Sequence, residues 1–145
     1  MIASLLLWHN RARPDIPYKA FSVQLGCHLE EMSELLAEIG VDSEVTERDL
    51  VQAADSLRDA ANALKCGATV VNINDRHNFL KELCDGVVTA AGVAYTGDYA
   101  LLSALEEVNR SNWSKFDENG QPVLDKHGKI KKGERYSPAN LNGMF

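Results

Sequence analysis

Two pairs of carboxylates, each spaced by one helical turn, are the residues of this sequence best suited to chemistry. Glu31 and Glu34 lie in 29-LEEMSELLAE-38, and Glu82 and Asp85 lie in 79-FLKELCDG-86. On a helix, side chains three residues apart are separated by about 60° around the axis and about 4.5 Å along it, so each pair points the same way. Oxygen ligands of this kind suit Mg²⁺ or Mn²⁺, whereas zinc favours Cys or His. The four carboxylates predict one cation site if two helices bring them together.

The same spacing occurs a third time without needing a functional explanation. Glu44 and Glu47 lie at the start of a predicted helix, where the helix dipole favours negative charge. A chain with 21 acidic residues is expected to contain such pairs by chance. The two mid-helix pairs differ, because like charges one turn apart cost about 0.2–0.5 kcal/mol per pair. A solvated helix face is the alternative explanation for both of them.

The overall composition is that of a folded, acidic, single-domain protein. The 145 residues are 45% hydrophobic and 25% charged, and we expect residues 1–145 to form one domain. The net charge of −6 argues against binding to a nucleic-acid polymer or an anionic membrane. Cys27, Cys66 and Cys84 have no C-x-x-C spacing, which favours reduced thiols in a cytoplasmic protein. The apolar opening MIASLLLW is too short to span a bilayer and is expected to be a docking segment.

Apolar residues at steps of three and four predict four helices. They are expected at about residues 19–39, 47–66 and 76–95, and from Asp98 to about 113. The stripe Leu25, Leu29, Met32 and Leu36 is expected to seat the first helix in a bundle. The expected N-terminal caps are Thr46, Asn74 or Asp75, and Asp98.

The two ends of the chain are expected to be less regular. Residues 10–17 contain two prolines and should form an extended lead-in that completes an N-terminal arm over residues 1–18. Residues 115–145 contain short apolar pairs between glycines, which predicts a β-hairpin turning at 125-DKHG-128 and then an irregular tail. The fold class predicted from these elements is all-α, an antiparallel four-helix bundle with a short C-terminal hairpin tail.

The order of these motifs resembles the MazG-like all-α nucleoside triphosphate pyrophosphohydrolases, relatives of dimeric dUTPase and phosphoribosyl-ATP pyrophosphohydrolase. The resemblance runs from about Phe21 to Tyr136, with E-E-x-x-E on one helix, E-x-x-D on a later one, and an Asn-rich helix end. Its most specific part is 109-NRSNWSKF-116 followed by a glycine-punctuated tail, which is similar to the ending of phage and bacterial members. The gap between the acidic motifs is longer than in compact members, because the second helix has five turns.

The resemblance implies an activity and the residues that perform it. It implies cleavage of a nucleoside triphosphate at the α-phosphorus with Mg²⁺, for which Mn²⁺ can substitute, in a homodimer or homotetramer with sites at subunit interfaces. The metal-ligating and catalytic carboxylates would be Glu31, Glu34, Glu82 and Asp85, with Glu30 as an additional acid of the same motif. The residues that contact nucleotide or phosphate would be Asn109, Asn112 and Lys115.

A basic cluster in the tail adds two candidate substrate-binding residues. The cluster consists of Lys129, Lys131, Lys132 and Arg135. It is suited to close over a triphosphate as a lid, and solvated hairpin surface is the alternative. Tyr136 follows the cluster and is suited to stack on a base, or to bury apolar area. We therefore include Lys132 and Tyr136 among the predicted substrate-binding residues.

The charges agree with a metal-dependent reaction on nucleotides. A triphosphate of about −4 and four carboxylates of about −4 would repel each other unless divalent cations lie between them. The sequence therefore predicts a Mg²⁺-dependent nucleotide pyrophosphohydrolase for nucleotide-pool control, with dGTP as one candidate substrate. We expect it in the cytoplasm, or in the host cytoplasm if the protein is phage-encoded. The alternative is a non-catalytic helical interaction or nucleotide-sensing module whose acidic faces are solvated.

Overall fold

Five helices account for most of the chain in the computed structural model, which describes residues 2–13, 19–67, 69–124 and 130–145. They are α1 (Ile2–Ala12), α2 (Ala20–Ala37), α3 (Glu44–Lys65), α4 (Arg76–Thr96) and α5 (Leu101–Trp113). Two isolated antiparallel bridges, Phe116 to Pro122 and Leu124 to Ile130, are the β-structure of the described residues. The predicted all-helical class is confirmed, with one helix more than expected.

The contacts divide the chain into two compact units. The central unit is Ile16–Asn74, with α2 and α3. The terminal unit is Met1–Asp15 together with Asp75–Phe145, and it contains α1, α4, α5 and the C-terminal tail.

The unexpected helix is α1, which extends through residues that the sequence pattern assigned to a docking segment and a lead-in. Its sequence, IASLLLWHNRA, is rich in the good helix formers Ala and Leu. The helix ends at Ala12 because Arg13 precedes a proline, and a residue before proline avoids helical dihedral angles. The prediction of an extended chain from residue 10 is therefore wrong for residues 10–12. Residues 14–17 of the lead-in and the predicted turn at 125–128 lie outside the described residues.

Local capping explains where the other helices begin. Ser43, rather than Thr46, caps α3 by accepting a hydrogen bond from the Thr46 N–H at 3.3 Å, so α3 begins earlier than predicted. Of the two predicted candidates, Asp75 rather than Asn74 caps α4, through bonds from two backbone N–H groups at 2.9 and 3.0 Å. The predicted cap Asp98 instead lies in a turn with φ +59°, and α5 begins after Ala100 without a side-chain cap.

A seam of small residues joins the two helices of the central unit. The Ser33 hydroxyl is fully buried and donates to the Ala54 carbonyl at 2.8 Å. A Cβ added at Gly26 would lie 2.9 Å from the Ala61 carbonyl oxygen, so the backbones approach closely at this point. The apolar stripe predicted to seat α2 is half-buried rather than buried. The small residues, not the large ones, therefore determine how α2 and α3 pack.

In the terminal unit, α1 packs along α5 in a parallel direction. Asn109 donates to the Ser4 hydroxyl at 2.7 Å, and the Trp8 ring lies 6.2 Å from the ring of Phe116. The tail returns to α5, where Ser114 accepts a hydrogen bond from the Ser137 N–H at 2.8 Å. Phe116 is buried at the centre of these contacts.

Apolar side chains remain exposed along α4. Of its residues, all of which the structure describes, only Ala94 is buried. Leu80, Val87 and Val88 are each exposed by 60% or more. A helix with this much uncovered apolar surface is typical of one that packs against a further partner.

Candidate functional site

The predicted acidic pair on α4 converges on a single cation. The Lys81 ammonium lies 3.0 Å from a Glu82 carboxylate oxygen and 2.7 Å from an Asp85 carboxylate oxygen. The bond to Asp85, and to a smaller extent the bond to Glu82, raises the pKa of Lys81 above its ordinary value. Both carboxylate side chains are more than half exposed. Glu82 and Asp85 therefore share one exposed lysine of the same helix.

The acidic residues on α2 lie at different angles from the surface that faces α3. At about 100° per residue, Glu30 lies at the edge of that surface, Glu34 lies about 40° further round the helix, and Glu31 lies about 100° further round. Glu30 is half-buried and forms an ion pair with Lys65 of α3. Glu31 and Glu34 are exposed. Contact with α3 therefore distinguishes Glu30 from Glu31 and Glu34, although Glu34 is the neighbour of Glu30 one turn along the helix.

The two predicted halves of the metal site belong to different units. Glu31 and Glu34 lie in the central unit, and Glu82 and Asp85 lie in the terminal unit. Among the described residues, no group of three or more His, Cys, Asp or Glu side chains is arranged so that it could hold a metal ion. The site of four carboxylates stays a prediction, while the convergence of the α4 pair is observed.

The three polar residues predicted at the end of α5 already have partners within the terminal unit. Asn109 bonds to Ser4, and the Lys115 ammonium donates to the Asn112 side-chain oxygen at 2.7 Å. Lys115 also lies 5.9 Å from the centre of the Trp8 ring. Two buried polar atoms, Asn109 Oδ1 and the Trp8 indole N–H, have no hydrogen-bond partner in the described part of the chain. These residues form a polar cluster that α1 completes.

A cavity of about 800 Å³ lies in the tail, next to this cluster along the chain. Its lining includes three cations, Lys131, Lys132 and Arg135, and three acidic residues, Asp117, Glu118 and Glu134. The Lys132 ammonium lies 4.8 Å from the centre of the Tyr136 ring, so these two predicted residues are in contact. Lys129, the remaining member of the predicted basic cluster, lies outside the described residues. Charges of both signs line this open cavity.

Sequence reasoning missed two lysines that contact the predicted acidic motifs. Lys81 could have been found, because it immediately precedes Glu82 and lies four residues before Asp85, a spacing that brings helical side chains together. Lys65 has no such signal. It lies 35 residues from Glu30, and only the packing of α3 on α2 brings it there.

Comparison with known proteins gave no matching family model, no matching curated protein and no matching solved structure. No described helix is long and apolar enough to cross a membrane.

Proposed function

We propose that the chain is a Mg²⁺-dependent nucleotide pyrophosphohydrolase that converts a nucleoside or deoxynucleoside triphosphate to the monophosphate and pyrophosphate. Its role would be the control of a nucleotide pool, with dGTP as one candidate substrate. The proposal combines the resemblance of the motifs to the MazG-like enzymes with the arrangement of the side chains.

The observation that supports this proposal most is the convergence of Glu82 and Asp85 on the Lys81 ammonium. The Lys81 ammonium lies 2.7 Å from an Asp85 oxygen and 3.0 Å from a Glu82 oxygen, and carboxylate oxygens are also the donors that Mg²⁺ takes. The carboxylates are exposed, and a hydrated ion can reach them from solvent. Oxygen donors of this kind suit Mg²⁺ or Mn²⁺, and the resemblance implies Glu31 and Glu34 as further ligands.

Each group in the proposed site has a defined task. Bound Mg²⁺ would neutralise the phosphate charge and make a water more acidic. One of the four carboxylates would accept a proton from the water that attacks the α-phosphorus. The bond from the α-phosphorus to the oxygen that bridges to the β-phosphorus breaks, and pyrophosphate leaves. Lys115 and Lys132 would bind phosphate oxygens, and the amides of Asn109 and Asn112 would bind the base or sugar.

The direct test is hydrolysis of a panel of dNTPs and NTPs with Mg²⁺ or Mn²⁺. We expect Glu34→Gln and Asp85→Asn to lower kcat/KM by about 100-fold or more, because each removes a ligand or base of the reaction. Glu38→Gln is the matched control, since Glu38 is exposed beyond the end of α2 and is expected to leave the rate within about twofold. Equal activity in all three variants would refute the assignment of the site.

Hydrolysis in ¹⁸O-labelled water identifies the phosphorus that is attacked. Attack at the α-phosphorus places the label in the monophosphate, and attack at the β-phosphorus places it in pyrophosphate. The proposal requires labelled monophosphate, which mass spectrometry of the separated products would detect.

The exposed apolar surface of α4 favours a second candidate, a non-catalytic helical interaction module. In that case metal and nucleotide leave the melting temperature unchanged, because only binding to the native state stabilises it. A nucleotide-sensing module would be stabilised by nucleotide without forming product. Melting temperature and product formation, measured together with Mg²⁺ and each triphosphate, separate the three functions.

We further propose that the protein is a homodimer or homotetramer in which a second copy covers part of α4. Ala94 is the one buried residue of α4, so most of the apolar surface of this helix is open to a partner. Val87→Glu is expected to produce monomers in light scattering. Thr89→Glu introduces the same charge about 200° away around the helix and is expected to preserve the oligomer. A wild-type protein that is monomeric at micromolar concentration would contradict this proposal.

A further inference from the structure

A C-terminal strap, residues 137–144, runs along one face of α5. At the end of α5, the Ser114 hydroxyl accepts a hydrogen bond from the Ser137 N–H at 2.8 Å. At its beginning, the Ala100 N–H donates to the Met144 carbonyl at 2.8 Å, so the strap is antiparallel to α5. The fourteen residues of helix between these contacts rise about 21 Å, and seven residues of extended chain reach up to about 23 Å. The strap therefore has the length that an extended chain needs to follow the whole of α5.

Two charged residues of α5 hold the middle of the strap. Arg110 donates to both carboxylate oxygens of Glu107, at 2.7 and 2.8 Å, so this pair is bidentate. The same guanidinium donates to the Pro138 carbonyl at 2.9 Å. The same carboxylate accepts a hydrogen bond from the Asn140 N–H at 2.9 Å. Glu107 and Arg110 therefore form one clamp, which holds a carbonyl and an N–H that lie two residues apart in the strap.

The helix contacts the backbone of the strap rather than its side chains. Each hydrogen bond that the structure shows between residues 100–114 and the strap uses an N–H or a carbonyl of the strap. The side chains of Ala139 and Met144 are half-buried, and the other strap residues are exposed. Ala104 and Ser111 share the clamp face by their spacing, and small side chains there let a backbone approach the helix. Any extended segment carries the groups that this face binds.

The strap and α1 lie on opposite sides of α5. Asn109, which bonds to Ser4 of α1, is two residues from Glu107 and therefore about 200° around the helix from it. Loss of the strap leaves these contacts between α5 and α1 in place. The strap also buries few apolar side chains, which is typical of a segment that opens locally while the rest of a domain stays folded.

We propose that this face of α5 is a binding site for the backbone of an extended peptide. The strap is its intramolecular occupant, and it leaves and returns as one unit while α5 stays folded. Because the strap is tethered to the site, its effective concentration there is high, and it excludes other peptides while the clamp holds it. Release of the strap opens the site to an extended segment of another chain.

Hydrogen exchange of the full-length protein, measured residue by residue by NMR, tests whether the strap opens as a unit. In the wild type, the amides of Ser137, Asn140 and Ala100 are expected to share one protection factor within about threefold, below that of the amides inside α5. Arg110→Met removes one charged half of the clamp. It is expected to speed exchange of all three amides by the same factor, about 10-fold to 100-fold, and to leave α5 unchanged. Glu106→Met is the matched control, because Glu106 is exposed and has no contact with the strap.

A synthetic peptide tests the binding site itself. Asn140→Pro removes the N–H that Glu107 accepts and is expected to release the strap in the full-length protein. This variant is expected to bind a peptide of residues 137–145, seen as shifts of the α5 amide signals, whereas the wild type does not bind it because its own strap occupies the site. The peptide with Asn140→Ala keeps its backbone N–H and is expected to bind equally. The peptide with Asn140→Pro is expected not to bind.

Several results would overturn the proposal. Faster exchange in Arg110→Met that is confined to the amides next to Pro138, or that extends through all of α5, would show that the strap does not open as a unit. Absence of peptide binding by a full-length Asn140→Pro protein whose strap amides exchange faster would refute the peptide site. Strap amides that stay protected in that variant would refute the clamp. The protection factors of the wild type decide whether the strap opens as a unit even if a variant does not fold.

Discussion

Replacing Gly26 with alanine tests the close packing of α2 on α3. The added Cβ would lie 2.9 Å from both the Ala61 carbonyl oxygen and the Lys65 Cγ. The lysine stem can move, but the carbonyl belongs to the backbone of α3 and cannot move without shifting that helix. Overpacking of this kind costs about 1–3 kcal/mol, and the higher helix propensity of alanine returns up to about 1 kcal/mol. We expect a net loss of about 1–2 kcal/mol, equivalent to a factor of about 5–30 in the local folding equilibrium.

Hydrogen exchange measured by mass spectrometry can resolve this loss within the central unit. Amides of α2 and α3 in Gly26→Ala are expected to exchange about 5–30 times faster than in the wild type. Gly92→Ala is the matched control, because Gly92 lies inside α4 and an added Cβ meets nothing within 4 Å. It is expected to slow exchange in α4 through helix propensity alone. Slower exchange in both variants would show that the backbones of α2 and α3 do not approach closely at Gly26.

Three further perturbations test other parts of the structure. Ser33→Ala removes the fully buried hydroxyl that donates to an α3 carbonyl, so it should lower the free energy of unfolding by about 1 kcal/mol in urea denaturation. Ser56→Ala removes an exposed hydroxyl and should not lower it. The bond from Arg110 lowers the pKa of Glu107 from 4.5 to about 2. Ionised Glu107 therefore stabilises the folded state above pH 4.5, and this stabilisation is lost as the pH falls toward about 2. NMR titration of the carboxyl group should give that pKa, and Arg110→Met should raise it. Trp8→Phe removes a buried N–H that has no partner in the described part of the chain, so it should lower the free energy of unfolding by less than about 1 kcal/mol. Trp8→Ala should lower it by about 3 kcal/mol, because the packed ring is lost. Equal losses in the two variants would contradict the packing of this ring.

The helices and the pairs within them were predictable because they depend on local geometry. A spacing of three residues on a helix brings Glu82 and Asp85 together whatever surrounds them, and both carboxylates lie beside the Lys81 ammonium. The cap at Asp75 was predictable for the same reason, since a capping side chain bonds to amides two and three residues away. Helix α1 was missed because the nearby prolines suggested an extended chain, although a proline excludes helix only at the residues beside it.

The contacts between helices were not predictable, because they depend on which residues the packing brings level. Large apolar residues were expected to determine how α2 packs, but Gly26 and Ser33 do so, since small side chains permit a closer approach of the backbones. The pairing of Asn109 with Ser4, 105 residues away, likewise has no signal in the spacing of either residue.

The sequence by itself determined the acidic motifs, their helices and the direction in which each pair of carboxylates points, because one turn of helix defines all three. The tertiary structure decided what neutralises those charges. It gave Glu30 a partner in Lys65 and left Glu31 and Glu34 exposed, because the antiparallel register of α2 and α3 directs one lysine across Gly26 toward one of three adjacent acids. The spacing of the three carboxylates in the motif does not show which of them is paired, because the packing of α3 on α2 decides it.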